Sequence, residues 1–213
     1  MSTTVYLIRH GESEANEHNV FLGQGNMDLT AIGKHQAEMA AQYLKNAVKP
    51  DFIYSSDLTR AYDTARFTAE KFDMPIIKDT ALREINAGYW DKLTFEEIEE
   101  RYPESFEIWK SDVGSSRCDG GESVGELWDR FISAVTDIAK RHDGATVLIF
   151  THATPIRIFG AFCLGKSLAE LKDMPWAANA SVTKAEFDGK FQLSEYSIDY
   201  FMGDSVTRLP SGV

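Results

Sequence analysis

Two short β-rich runs, Val5-Tyr6-Leu7-Ile8 and Thr146-Val147-Leu148-Ile149-Phe150, each end at a polar tip that carries a histidine. This pairing constrains the fold more than any other feature. The first run breaks into Arg9-His10-Gly11-Glu12-Ser13 and the second into Thr151-His152. A continuous apolar, β-branched run predicts a central strand buried on both faces. Open α/β sheets present ligand-binding groups at the carboxyl ends of such strands. Gly11 lets the backbone come close, so the first tip reads as an anion site.

The rest of the chain supplies helices to cover such a sheet, because strand-like and helix-like segments alternate in the manner of βα units. Residues 30–47 place Met39, Ala40, Tyr43, Leu44 and Ala47 on one helical face, Pro50 ends the helix, and 52–54 read as a second strand. Ser55-Ser56-Asp57 read as an N-cap cluster opening a helix with Leu58, Ala61, Tyr62, Ala65, Ala69 and Phe72 inward and Arg60 off that face. A third strand follows at 75–78. Capping boxes at Thr94/Glu97 and Ser123/Glu126 open two further helices. The second carries Val124, Leu127, Trp128, Phe131, Val135 and Ile138 inward. After Pro155 a helix runs to about residue 164, and strands at 180–188 and 191–198 flank Gly189 as an edge hairpin. Residues 203–213 have little to anchor them. The expected architecture is a three-layer α/β/α sandwich with a mainly parallel central sheet.

With 213 residues and 43% hydrophobic content, the chain can bury one sizeable core, so 1–213 reads as a single domain. Residues 86–121, aromatic and acidic, read as a small helical lid insertion. No run approaches the ~20 apolar residues of a membrane span and no basic leader precedes the first strand, which predicts a cytoplasmic protein without a membrane partner. Cys118 and Cys163 lack metal-ligand spacing, fit a reducing compartment and read as inert. A net charge of −11 without clustered Lys or Arg excludes nucleic acid as partner. A homodimer through edge-strand pairing of the hairpin is left open.

The constellation that can carry chemistry is Arg9, His10, Arg60, Glu84 and His152. A phosphoryl group in flight needs cations and donors around its oxygens, an in-line nucleophile and an acid for the leaving oxygen. Neutral imidazole is a competent nucleophile near neutral pH. Arginine forks grip phosphate oxygens, and a desolvated carboxylic acid at 84 protonates the leaving alkoxide. No metal or cofactor is called for. Each piece has a plainer reading: a lone strand-end histidine is more often structural, Glu84 alone reads as surface charge, Asn16 as a helix cap, Trp90 and Trp109 as packing. Glu12 and the run 96–100 read as a solvated face. Arg60 in a first helical turn opposes the helix dipole unless an anion is near.

In order, these blocks resemble the histidine phosphatase superfamily, which includes the cofactor-dependent phosphoglycerate mutases. Leu7-Ile8-Arg9-His10-Gly11-Glu12-Ser13 with Asn16 matches its first signature, Ser55-Ser56-Asp57-Leu58-Thr59-Arg60-Ala61 with Thr64-Ala65 the second, Leu82-Arg83-Glu84-Ile85 with Gly88 and Trp90 the third, and Phe150-Thr151-His152 with Ile156-Arg157 the fourth. The resemblance implies a phosphoglycerate mutase-like fold, phosphorylation of His10, proton donation by Glu84, and a phosphate pocket of Arg9, Asn16, Arg60 and His152. Two departures stand out. Ala153 replaces the glycine usual after the second histidine, and its amide is still expected to face phosphate. Leu22 replaces a polar residue before Gly23, and Gln24 is expected to take over that contact.

Mutases of this family carry a longer, basic insertion after the third block, whereas 86–121 here is short, aromatic and acidic. The reading is therefore a metal-independent phosphoric monoester hydrolase of the histidine acid phosphatase type. It acts on a small phosphorylated metabolite of apolar or ring character, with Arg117 or Lys92 meeting any second anionic group. The alternatives are a phosphoglycerate mutase and a weakly active binding module.

Overall fold

The computed structural model describes residues 1–209. Its elements in chain order are β1 (Thr3–Arg9), α1 (Glu14–Glu17), β2 (Val20–Phe21), α2 (Ala31–Ala47), β3 (Phe52–Ser55), α3 (Thr59–Phe72), β4 (Ile76–Lys78) and β5 (Leu93–Thr94). There follow α4 (Phe95–Arg101), α5 (Pro103–Ser111), α6 (Val124–Arg141), β6 (Thr146–Thr151), α7 (Ala153–Cys163), β7 (Val182–Phe187) and β8 (Phe191–Ile198). Six strands form one sheet in the order β4-β3-β6-β1-β7-β8. Its first four strands are mutually parallel, and the β7/β8 hairpin joins β1 antiparallel. The β2 and β5 strands pair separately.

Period-two alternation along β1 and β6 divides the core. Val5, Leu7, Val147 and Ile149 face the side covered by α6 and α7. Ile8, Leu148 and Phe150 face the side that holds Leu44 of α2 and Ala65 of α3. This is the expected α/β/α layering, with β6 central and buried on both faces. The α6 face is buried through Val124, Leu127, Phe131, Val135 and Ile138, each large side chain contributing roughly 1.5–3 kcal/mol on leaving water. Residues 86–121 do not stand apart from this core: Trp90, Ile98, Phe106 and Trp109 belong to the same apolar cluster as α6 and α7.

Several local readings need correction. Ser55-Ser56-Asp57 do not cap α3, whose N-cap is Leu58. Asp57 is held instead by Arg83 at 2.6 and 2.5 Å, and the Thr59 amide finds its acceptor in Asn26 Oδ1 at 2.9 Å. Arg60 lies on the buried side of α3, beside Thr64 and Thr68. In α2 the buried face is Gly33, Gln36, Ala37, Ala40, Ala41 and Leu44, with Ala47 exposed. The last helix begins at Ala153, two residues before Pro155, because first-turn amides need no intrahelical acceptor and tolerate proline. Glu12 is buried and accepts from Thr30 Oγ1 at 2.8 Å, not solvated. The C-terminal segment is anchored: Met202 is buried, and Gln36 Nε2 donates to Ser205 O at 2.7 Å and to Thr207 Oγ1 at 2.9 Å. Of that reading, 210–213 lie outside the described residues.

Candidate active site

Register brings the two histidines together. Because β1 and β6 pair Arg9 with Thr151, the next residues leave the sheet side by side, with His10 N donating to Thr151 O at 3.0 Å and ring centroids 5.3 Å apart. The close turn beneath His10 depends on two glycines: a Cβ on Gly11 would lie 2.3 Å from Gly33 O, and one on Gly33 would lie 1.9 Å from Glu12 O. Backbone therefore packs on backbone where α2 starts.

The tautomer of His10 follows from its partners. Nδ1 lies 2.7 Å from Gly11 O, an acceptor only, so Nδ1 carries the proton. Nε2 accepts from Arg60 Nε at 3.3 Å and holds the ring's lone pair. Burial, then Arg60 and Arg9, press its pKa well below 6.5, which keeps the ring neutral and nucleophilic. His152 is depressed likewise, by burial first and then by Arg60, His10 and Arg9. Its Nε2 meets Ser56 Oγ at 2.9 Å, and its buried Nδ1 has no hydrogen-bond partner among the described residues.

Arg60 is aimed by a loop: its terminal nitrogens donate to Gly25 O at 3.0 Å, Gly23 O at 2.8 Å and Leu22 O at 3.3 Å. Arg9 donates to Ala177 O at 2.6 Å, while its buried Nε has no hydrogen-bond partner among the described residues. Burial lowers both arginines to about 10. Opposite them sits Glu84, 7% exposed. Burial raises its pKa above 4.5 against the pull of the Ile85 and Thr154 amides, which donate to its two carboxyl oxygens at 2.8 and 3.2 Å. Two buried guanidiniums against one carboxyl of raised pKa leave positive charge that a buried anion offsets.

Of these groups Arg9, His10, Arg60 and Glu84 open onto one cleft, lined also by Asn16, Ala153, Ser13, Ala15 and Thr154, while His152, fully buried, is not among its described lining residues. Its outer wall is Val20, Phe21, Leu22, Phe95, Trp109, Trp176 and Leu209. Phe21 meets Trp109 edge-on at 5.1 Å, Trp109 stacks on Trp176 at 6.2 Å, and Arg157 caps the Trp176 ring at 4.1 Å. The cleft encloses about 60 Å³, several times the ~10–15 Å³ that one water requires.

Three predicted contact residues stand elsewhere. Arg117 is tied to Glu126 at 2.7 Å and to Gly121 O at 2.8 Å in a separate surface groove, because an exposed arginine with a carboxylate within reach is already neutralised. Gln24 lines that same groove and reaches the backbone of Glu84 at 3.2 Å, so it braces Glu84 from behind. The Gly23 amide is taken by Asp91 at 2.8 Å; Gly23 serves through its carbonyl, which holds Arg60. Leu22, not Gln24, faces the cleft. Ser56, Thr154, Trp176 and Leu209 were missed. Ser56 lies within the second matched block and Thr154 between the matched positions of the fourth, whereas Trp176 and Leu209 sit outside any periodic segment and only tertiary structure brings them in.

An α/β sandwich whose central strand tips present paired histidines and an arginine, joined by a second buried arginine from the start of α3, is an anion-handling enzyme scaffold. A model of the histidine phosphatase superfamily (branch 1) matches residues 5–198, and the chain belongs to that family. It is 36% identical over 164 residues to phosphoserine phosphatase 1 of Hydrogenobacter thermophilus, covering 77% of each chain. It is 35% identical over 187 residues to a metal-independent phosphoserine phosphatase of Arabidopsis thaliana, covering 82% of this chain and 79% of that one. Bacillus stearothermophilus YhfR superposes with a TM-score of 0.89 at 32% identity, over 93% of this chain and 99% of the other. The protein is a phosphatase, a phosphoric monoester hydrolase on the phosphoglycerate mutase-like fold.

Proposed function

We propose that the protein hydrolyses a small phosphorylated metabolite, without metal, through a phosphohistidine at His10. The observation that carries this is the convergence of a neutral His10 Nε2, two buried arginines and a carboxyl of raised pKa on one cleft. In the first step Nε2 attacks phosphorus as the ester P–O bond breaks, and Glu84 gives its proton to the leaving oxygen. In the second, Glu84 takes a proton from water, whose oxygen attacks phosphorus and releases His10 and inorganic phosphate. Arg9, Arg60, Asn16 and His152 stabilise the equatorial oxygens throughout.

The wall of Phe21, Phe95, Trp109 and Trp176 supports an ester with an apolar or ring body, and residues 86–121 act as its lid by contributing Phe95 and Trp109. Among the described lining residues, the cations are Arg9 and Arg60. Neither is spare for a second anionic group. This favours an ester whose phosphate is its one anionic group over the phosphoamino acid named for two relatives.

The test is hydrolysis of an aryl phosphate in EDTA by wild type and His10→Ala, with native mass spectrometry for a transient phosphoryl adduct. Turnover and an adduct that vanish together in the variant are expected. Folded wild-type protein with neither would move the reading to a primer-dependent mutase or a binding module.

A further inference from the structure

The C-terminal segment reaches the cleft through a chain of buried amides whose proton directions are all determined. Gln36 Oε1 accepts from Glu12 N at 2.8 Å, and Gln36 Nε2 donates to Ser205 O at 2.7 Å. A backbone donor and a backbone acceptor thereby fix which end of that carboxamide is which. Its Nε2 also donates to Thr207 Oγ1 at 2.9 Å, so the Thr207 hydroxyl turns its own hydrogen to Asn179 Oδ1, 3.2 Å away. Asn179, 1% exposed, then has Nδ2 as its remaining end. That group donates to His10 O at 3.2 Å and to Asn16 Oδ1 at 3.1 Å. The Asn179 amide secures the register by donating to Thr207 O at 3.0 Å.

The end of this chain is a side chain on the cleft wall. Asn16 Oδ1 collects Asn179 Nδ2, Ser13 N at 3.1 Å and Ser13 Oγ at 3.0 Å. With its oxygen saturated, the carboxamide has its NH2 left for the cleft that Asn16 lines. Reversed, it would offer a carbonyl oxygen to an anion, a repulsive contact in place of a donor. We infer that Asn179, held by Thr207 of the C-terminal segment, is a positioning residue that orients Asn16 as a phosphate donor. His10 O also accepts from Ala180 N at 3.1 Å, so the contribution of Asn179 is directed at Asn16 more than at the nucleophile. The inference rests on the phosphohistidine reading for the identity of the anion.

The experiment is a double-mutant cycle read by inorganic phosphate binding in calorimetry and by KM and kcat on an aryl phosphate. Asn179→Ala is expected to weaken phosphate binding and raise KM about five- to tenfold, the scale of one ordinary hydrogen bond, because Asn16 is misoriented and not removed, with kcat moved less. In an Asn16→Ala background the same substitution is expected to add nothing. Thr207→Val should show a smaller shift with the same dependence on Asn16, and Thr207→Ser should restore wild-type behaviour. Effects that multiply in the double variant, or phosphate affinity unmoved in Asn179→Ala, would overturn the inference. If Asn179→Ala does not fold, the Thr207 series decides by the same criteria. Phosphate binding is read without turnover, so wild type that binds phosphate but lacks turnover and adduct sinks the parent reading while the cycle still tests Asn179.

Discussion

Glu84 and His10 are buried in the same cleft, yet burial acts on them in opposite senses. Desolvation disfavours the charged form, so the carboxyl rises above 4.5 and the imidazole falls well below 6.5. An acid that holds its proton thus faces a base that has none, the pairing in-line displacement needs. Because the acid must be protonated, kcat/KM should fall as pH rises through the raised Glu84 value, while no acidic limb appears near 6.5. Glu84→Gln should erase that alkaline limb. It should also lower kcat/KM for alkyl phosphates by ~10²–10⁴ and for nitrophenyl phosphate far less, since a good leaving group needs little protonation, while kcat falls for both because Glu84 also activates the water of the second step. An unchanged alkaline limb in Glu84→Gln would assign the titration to another group. That Arg9, His10, Arg60 and Glu84 meet at one cleft was legible in the ordered blocks: Arg9 and His10 sit at a strand tip and Arg60 at a helix start, whereas Glu84 lies in a loop that only tertiary structure aims. Arg117 and Gln24 were placed on charge and proximity in sequence, and neither criterion knows that Glu126 and the Glu84 backbone lie nearer.

Secondary structure was legible wherever burial imposed a period. The α6 stripe, the β6 run and both capping boxes stand as the pattern indicates. Misreadings fell at element ends, where polar residues that could cap a helix are drawn to tertiary partners: Asp57 to Arg83, Ser56 to His152. The same limit hid the role of α2. Its buried face is built of small residues, and its first turn carries Gly33, which touches the backbone of the His10 loop. Gly33→Ala would ordinarily favour a helix, but here its Cβ would sit 1.9 Å from Glu12 O. The expected result is a loss of about 1–3 kcal/mol on the scale of core overpacking, with a fall in kcat as the loop shifts. Thermal melting and steady-state kinetics would show both. A Tm equal to or above wild type would mean that α2 slides away at no cost.

Charge is distributed unevenly over the whole molecule: a net −11 belongs to the chain, while its deepest ionisable groups are two arginines, two neutral histidines and a carboxyl of raised pKa. Folding therefore depends on pH through the site. For His10 and His152 the folded pKa lies well below 6.5, so below that pH the unfolded chain binds protons that the folded chain refuses. Their contribution is intact above 6.5 and is lost as pH falls, at about 1.4 kcal/mol per pH unit for each. Glu84 acts in the opposite sense, since its raised pKa lets the folded state hold a proton that the unfolded chain releases above 4.5. The two histidines outnumber it, and urea unfolding should show stability declining from pH 7.5 to 5.5. Replacing both histidines by glutamine removes their titration while keeping hydrogen-bonding capacity. The double variant should lose most of the decline, since what remains is Glu84 opposed by His142, whose pKa burial also lowers. An equally steep decline in that variant would show that acid sensitivity arises outside the cleft, and that the buried charge of the site is not what couples folding to pH.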